Sequence, residues 1–210
     1  MQNLYISKNS TQKNDFFVLN DYLEAHSELK VNNYFIKFFS SKNKESIFKK
    51  DNDFIANLGV FIYKNHYNSE ALKLFFNDLS SGGQLEKLLL SQKTRGQFVL
   101  IIYQNKKLKI VTDRLGYFPM YIFQKNGNVS LSNNMLSLGK NNKCTLNKIG
   151  ISQYLSENYK HLTYACCDQT LFNEVNYLEA GTIYILDNEI SKKRYFDLTQ
   201  NINIGNFKSL

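Results

Sequence analysis

The run Gln97-Phe98-Val99-Leu100-Ile101-Ile102-Tyr103 is the most apolar stretch of the sequence, bounded by Gly96 and by Asn105-Lys106-Lys107. A run this short, rich in β-branched residues and closed by turn formers, predicts a strand buried on both faces, which must be central in a sheet. Leu108-Lys109-Ile110-Val111-Thr112 follows at hairpin distance. Its alternation predicts a paired strand with one face in solvent. Met120-Tyr121-Ile122-Phe123 and Val129-Ser130-Leu131-Ser132 flank Lys125-Asn126-Gly127-Asn128, a second hairpin with an Asn-Gly turn. A third hairpin is expected from Thr182-Ile183-Tyr184-Ile185-Leu186, the turn Asp187-Asn188-Glu189, and Arg194-Tyr195-Phe196.

The first third reads the same way. Phe16-Phe17-Val18-Leu19, Tyr34 to Phe39 and Phe54 to Tyr63 are strand-like, and Gly59 inside the last predicts a bulge or a close backbone approach. Between the strands the period changes. Ala71, Leu72, Phe75, Phe76 and Leu79 form one apolar stripe, so Ser69 to Leu79 is expected to be an amphipathic helix. Ser80-Ser81-Gly82-Gly83 stops it, and Leu85, Leu88 and Leu89 restart helix over Gln84 to Gln92. Asn147 is a candidate N-cap for a helix over Lys148 to Tyr159, with Ile151, Tyr154 and Leu155 on one face despite Gly150. Strands on both sides of the helical segments argue for an α+β protein rather than an alternating parallel sheet.

With 210 residues, 43% hydrophobic content and a single proline, the chain can bury one sizeable core and is not of the disordered type. Neither a long apolar span nor a leader-like N-terminus is evident, so a soluble, cytoplasmic protein without membrane contact is expected. The net charge of +8 comes almost wholly from dispersed lysines, the arginines being Arg95, Arg114 and Arg194 alone. Diffuse lysine gives solubility more readily than phosphate or base recognition, so nucleic acid is not the expected partner. Cys144, Cys166 and Cys167 lack metal-ligand spacing, and His26, His66 and His161 lie far apart. No metal site, disulfide framework or cofactor is expected in this chain.

The order of several strings is more informative than composition. Gly96-Gln97-Phe98-Val99-Leu100 precedes Thr112-Asp113-Arg114-Leu115-Gly116-Tyr117-Phe118-Pro119-Met120-Tyr121, and Ser130-Leu131-Ser132 follows. This order resembles the class II glutamine amidotransferase domain of asparagine synthetases, with its G-x-F-A strand, its D-R-x-G-x-x-P-L-Y string and its strand ending in small polar residues. Farther on, Gly150 to Tyr159 is similar to that family's short helix, Thr170-Leu171-Phe172-Asn173-Glu174-Val175 to its T-L-F segment, Leu178-Glu179-Ala180-Gly181 to its L-x-P-G, and Arg194-Tyr195-Phe196 to its closing R-Y-W. The resemblance implies a four-layer αββα sandwich of two antiparallel sheets, of the N-terminal nucleophile hydrolase type, with residues 1–210 as one degenerate domain and the ATP-using synthetase domain absent from this chain.

The motif positions Gly59, Gly96, Asp113, Arg114, Gly116, Pro119 and Tyr121 are expected to be structural. At the end of a strand Asp113 can accept turn amides, Arg114 can make a bidentate pair across the sheet, Gly116 can take a positive φ, and Pro119 fixes φ where the chain re-enters the sheet beside Tyr121. Chemistry in the family depends on an N-terminal Cys whose amino group is the base for its own thiol. Here Gln2 follows Met1, and no Cys precedes Cys144. Leu58-Gly59-Val60 stands where the family's N-G-E string aligns, and no S-D-x-E precedes Leu85. Apolar Leu and Val replace neither an oxyanion donor nor an ammonium-binding carboxylate. Ser81-Gly82-Gly83 is similar to a pyrophosphate loop but is broken by Gln84-Leu85-Glu86, and is expected to be an inter-helix turn.

The expectation is therefore a domain with no catalytic residue and no assigned substrate-binding residue, acting as a structural and docking platform for an asparagine-synthetase-like, ATP-dependent amide-forming domain in the same or a separate chain, with self-association left open. Two alternatives remain: an amidohydrolase using Ser7, Ser10 or Thr11 after internal processing, and a Lys-rich module that binds an acidic partner.

Overall fold

The computed structural model describes residues 2–8, 24–40, 47–155, 170–187 and 189–201. The strand expected at Phe16 to Leu19 lies outside them, as do Cys166, Cys167, His161 and the end of the helix expected to reach Tyr159.

Two antiparallel sheets carry the fold. One runs β11 (Val175–Tyr177), β9 (Tyr121–Lys125), β10 (Asn128–Ser132), β1 (Gln2–Lys8), β3 (Tyr34–Ser40) and β2 (Glu24–Val31). The second runs β13 (Ile190–Arg194), β12 (Thr182–Leu186), β8 (Lys107–Thr112), β7 (Thr94–Gln104), β5 (Asp53–Tyr63) and β4 (Ile47–Lys50), with β6 (His66–Tyr67) paired to β5. The apolar run is central as expected: β7 lies between β5 and β8, and Phe98 to Ile102 are all buried. The expectation for β8 needs correction. Lys107 is exposed, Lys109 is half-buried and Val111 is wholly buried, so the face that carries them is solvated only at the start of the strand and passes into the core along it. Burial pushes the Lys109 ammonium below its ordinary pKa.

Side-chain alternation then dictates the layers. Leu4, Ile6 and Ile36 of the first sheet meet Ala56, Leu58, Val99, Ile101 and Ile110 of the second in the core between the sheets. The opposite face of the second sheet, through Ile55, Phe61, Tyr63 and Leu100, is covered by α1 (Asn68–Ser80) and α2 (Leu85–Leu90). Leu72, Phe75 and Phe76 of α1 supply that contact, and the Phe75 ring stands edge-on to both Phe61 and Tyr63. The outer face of the first sheet, through Tyr5, Phe39 and Phe123, packs on Leu138 of α3 (Met135–Asn141) and on Phe172. An α+β, four-layer αββα sandwich results.

Asn147 caps α4 (Lys148–Leu155) as expected, its Oδ1 accepting from the amides of Ile149 and Gly150. The expected apolar face of that helix is not buried by the described residues, since Tyr154 and Leu155 are exposed. Only Gly150 is buried there; a Cβ on it would meet the Thr170 carbonyl oxygen. Strands β1, β2, β4, β6 and β11 and helices α3 and α5 (Leu198–Asn201) have no counterpart in the sequence reading. Among the described residues no helix is long and apolar enough to cross a membrane.

Ile101→Ala removes a side chain with no exposure from between the sheets and is expected to cost about 2–5 kcal/mol in urea unfolding. Leu146→Ala, at a residue that is 63% exposed, is expected to change stability by less than about 0.5 kcal/mol.

Candidate functional site

Three motif strings far apart in sequence meet at one end of the second sheet. At the end of β8, Asp113 is 2% exposed, and its two carboxylate oxygens accept from the amides of Leu115, Tyr117 and Phe118 at 3.0, 3.1 and 3.0 Å. The side chain thus replaces backbone partners for a turn that no ladder can satisfy. Its carbonyl accepts from Gly116 and Gly181, and its own amide donates to the Phe98 carbonyl. Beside it the Thr112 hydroxyl donates to Glu179 at 2.6 Å and accepts from the Thr182 amide, while the buried Tyr195 hydroxyl donates to the Thr112 carbonyl at 2.8 Å. Burial and the nearby Asp113 carboxylate push the Tyr195 phenol well above its ordinary range. Tyr195 and Phe196 also donate to Gly181, closing the circle.

Gly116 has φ +66°, and a Cβ there would stand 3.1 Å from that of Ala180. The positive φ expected of Gly116 is present, and the structure adds a close approach to Ala180. Arg114 departs from expectation. Rather than pairing across the sheet, its guanidinium donates from Nε and Nη2 to the Leu89 carbonyl and from Nη2 to that of Ser91, clamping the C-terminal end of α2. Carbonyls left unpaired at a helix end are natural acceptors for such a cation. Pro119 is exposed and leads into buried Met120. Tyr121 opens β9, its ring 4.8 Å from that of Tyr177, and burial raises its phenol pKa.

Gly59 is a close approach and not a bulge, since the pairing of β5 with β7 runs unbroken from Phe54↔Tyr103 to Tyr63↔Thr94. At its φ of +82°, an added Cβ would lie 2.2 Å from the Gln97 carbonyl oxygen and 2.7 Å from Cδ2 of Phe118. Gly96 does the same from the other strand, 2.0 Å from the Val60 carbonyl oxygen. Phe118, held at the end of the Asp113 turn, therefore packs over Gly59 at the margin of the core between the sheets.

The start of β1 is the third part. Leu4 donates its amide to Asn133 Oδ1 at 2.8 Å and accepts at its carbonyl from the Ser132 hydroxyl at 2.7 Å. Asn133 also donates to Asn3 Oδ1. Ser132 and Asn133 thus extend the β1–β10 ladder beyond its last backbone pair, Tyr5↔Ser132. Ser7, farther along, is buried with its hydroxyl unpartnered. Cys144 lies on the opposite face of the first sheet, and burial, with Glu174 nearby, pushes its thiol up to about 11. No group of three or more His, Cys, Asp or Glu side chains that could hold a metal ion occurs among the described residues. The roles of Phe118 and Asn133 escape sequence reading, because an aromatic in a turn and an Asn after a strand carry no pattern of their own.

Residues 85–196, more than half of the chain, match the family described as glutamine amidotransferase domain. The chain belongs to that family. The amidotransferase-like segment includes the whole Asp113 turn, β9, β10 and the closing Tyr195-Phe196. Among solved structures this domain is similar to glutamine phosphoribosylpyrophosphate (PRPP) amidotransferase from B. subtilis complexed with ADP and GMP, at 11% identity and a TM-score of 0.46 over 78% of this chain and 35% of that one. It is also similar to a structure of the allosteric regulatory enzyme of purine biosynthesis, at 11% identity and a TM-score of 0.40 over 92% of this chain and 43% of that one. The chain thus spans less than half the length of either. No curated protein matches it.

Asp113→Ala strands three turn amides and is expected to lower stability by at least about 2 kcal/mol in urea unfolding, with Asp113→Asn, which keeps an acceptor oxygen, losing less. The Cys144 thiol, raised from 9.0 to about 11, is expected to react with iodoacetamide at pH 8 about 100-fold more slowly in the native chain than after unfolding, read by peptide mass mapping. The difference shrinks as pH rises toward 11 and the native thiol ionises.

Proposed function

We infer that this glutamine amidotransferase-like domain does not hydrolyse glutamine and serves as the structural and docking platform of an asparagine-synthetase-like, ATP-dependent amide-forming domain. The silent reading is carried by the packing at Gly59. Leu58 is buried, Val60 is apolar and exposed, and the Phe118 ring lies against the glycine. An aromatic ring and two aliphatic side chains stand where the resemblance places the glutamine-binding string. Amide hydrolysis of this type needs a nucleophile, its base, and donors aimed at the developing oxyanion. Gln2, the first residue of β1, stands where the resemblance puts the nucleophile, and its amide is not nucleophilic.

The processed-nucleophile alternative is less well supported. Ser7 is buried inside β1, and cleavage before it would remove the pairs from Gln2↔Ser40 to Ile6↔Ile36. A Lys-rich binding face is also poorly supported, because Lys37, Lys64, Lys125, Lys192 and Lys193 each pair with a carboxylate. The synthetase-docking role rests on the order of the motif strings and on the chain's membership of the amidotransferase family.

Purified full chain incubated with glutamine is expected to release no ammonia above a heat-inactivated control, with an intact mass that shows no new N-terminus. Ammonia release overturns the silent reading, and a shortened mass would identify the nucleophile. Docking is tested separately by size-exclusion chromatography of the chain mixed with an asparagine-synthetase-like synthetase domain from the same source. A shared peak is expected, and separate elution overturns that half of the reading.

A further inference from the structure

A cavity of about 520 Å³ opens between the first residues of β7, the Asp113 turn, and the segment after β13. Its exposed wall is mostly apolar, although Thr94, Gln97 and two arginines also contribute to it. Phe98, only 3% exposed, and Phe196 are part of it, and Leu115 and Leu198, about half exposed at 47% and 53%, stand at its mouth. Its volume falls in the range of pockets that take a small organic ligand. Nothing in the proposed scaffold role uses it.

The charges around it are one-sided. Arg95 and Arg114 line the cavity, and the carboxylate that lines it, Asp113, is buried and spends both oxygens on turn amides. Among the described residues neither arginine has an acidic partner; Arg95 Nε donates to the Gln92 carbonyl, and Arg114 donates to Leu89 and Ser91. These bonds to neutral carbonyls fix the guanidinium groups without cancelling their charge. Arg114 Nη1 keeps its donors, and its guanidinium lies 5.9 Å from the Phe196 ring centroid, so the cation and the apolar wall form one surface. A preset cation beside a concave apolar wall loses little conformational freedom on binding an anion with an apolar body.

We propose that this cavity binds a small amphipathic acid, with an aromatic or branched apolar body against Phe98 and Phe196 and a single carboxylate or sulfonate group toward Arg114 and Arg95. The inference is independent of whether the domain hydrolyses glutamine.

The full chain is titrated with 1-anilinonaphthalene-8-sulfonate and with N-phenyl-1-naphthylamine, which has the same ring framework without the acid group. Saturable one-to-one binding of the sulfonate, at least tenfold tighter than the neutral dye, is expected, together with displacement by 3-phenylpropanoate but not by 3-phenylpropanol. Arg95→Glu and Leu115→Asp change exposed residues at the mouth; each is expected to weaken sulfonate binding at least tenfold while the thermal unfolding midpoint stays within about 2 °C. Equal affinity for the two dyes, absence of saturable binding, or binding unchanged in both folded variants overturns the proposal.

Discussion

The burial of the Asp113 carboxylate under three backbone amides is the interaction on which this architecture turns. It converts the end of β8 into a fixed point from which the chain crosses from the second sheet to the first, since β9 begins directly after Pro119 and Met120. The same fixed point receives Gly181 through the Asp113 carbonyl and Tyr195 through the Thr112 carbonyl. Hydrogen bonds to a charged acceptor are about twice as strong as neutral ones, and here they are also shielded from water. Without them, the turn amides, Phe118 and the Leu178 to Gly181 loop lose their common anchor.

That anchor also determines what the neighbouring surface can do. Phe118 is carried over Gly59, while Arg114 is carried to the end of α2 and lines the cavity beside the turn. The framework of the glutamine amidotransferase family is therefore present in the turns and strands, with apolar Leu58 and Val60 flanking Gly59 and the Asn57 amide donating to the Gly59 carbonyl. Packing and chemistry make separate demands: the glycines and the aspartate satisfy backbone geometry, which the fold itself needs, whereas a nucleophile and oxyanion donors matter only if glutamine is cleaved.

Much of the second sheet was legible because its signals are local. The run Phe98 to Ile102 and the stripe from Ala71 to Leu79 that covers it each name their own structure through periodicity, as the Asn126-Gly127 turn does through turn chemistry for the β9–β10 hairpin of the first sheet. The first sheet was harder to read. β1, Gln2 to Lys8, is the strand that joins β10 to β3, yet its alternation mixes Asn3 and Ser7 with Tyr5 on one face, and the Asn3 side chain finds its partner, Asn133, only across the sheet and more than a hundred residues away. Arg114 misled for the same reason: an arginine after a strand suggests a carboxylate partner, and the helix end it reaches is adjacent only in three dimensions. Lys109 illustrates the converse error, since a lysine in an alternating strand suggests solvent, whereas it shares a face with Val111, which is packed beneath α1 and α2.

The central claim is that a glutamine amidotransferase framework persists here without a working nucleophile. Its most direct test is incubation of the full chain with a diazoketone analogue of glutamine, which alkylates the nucleophile of any active site that recognises it, followed by intact mass measurement. The account expects an unchanged mass at analogue concentrations that fully label an active class II amidotransferase in parallel. A stoichiometric single adduct, mapped to one residue and prevented by excess glutamine, would contradict it.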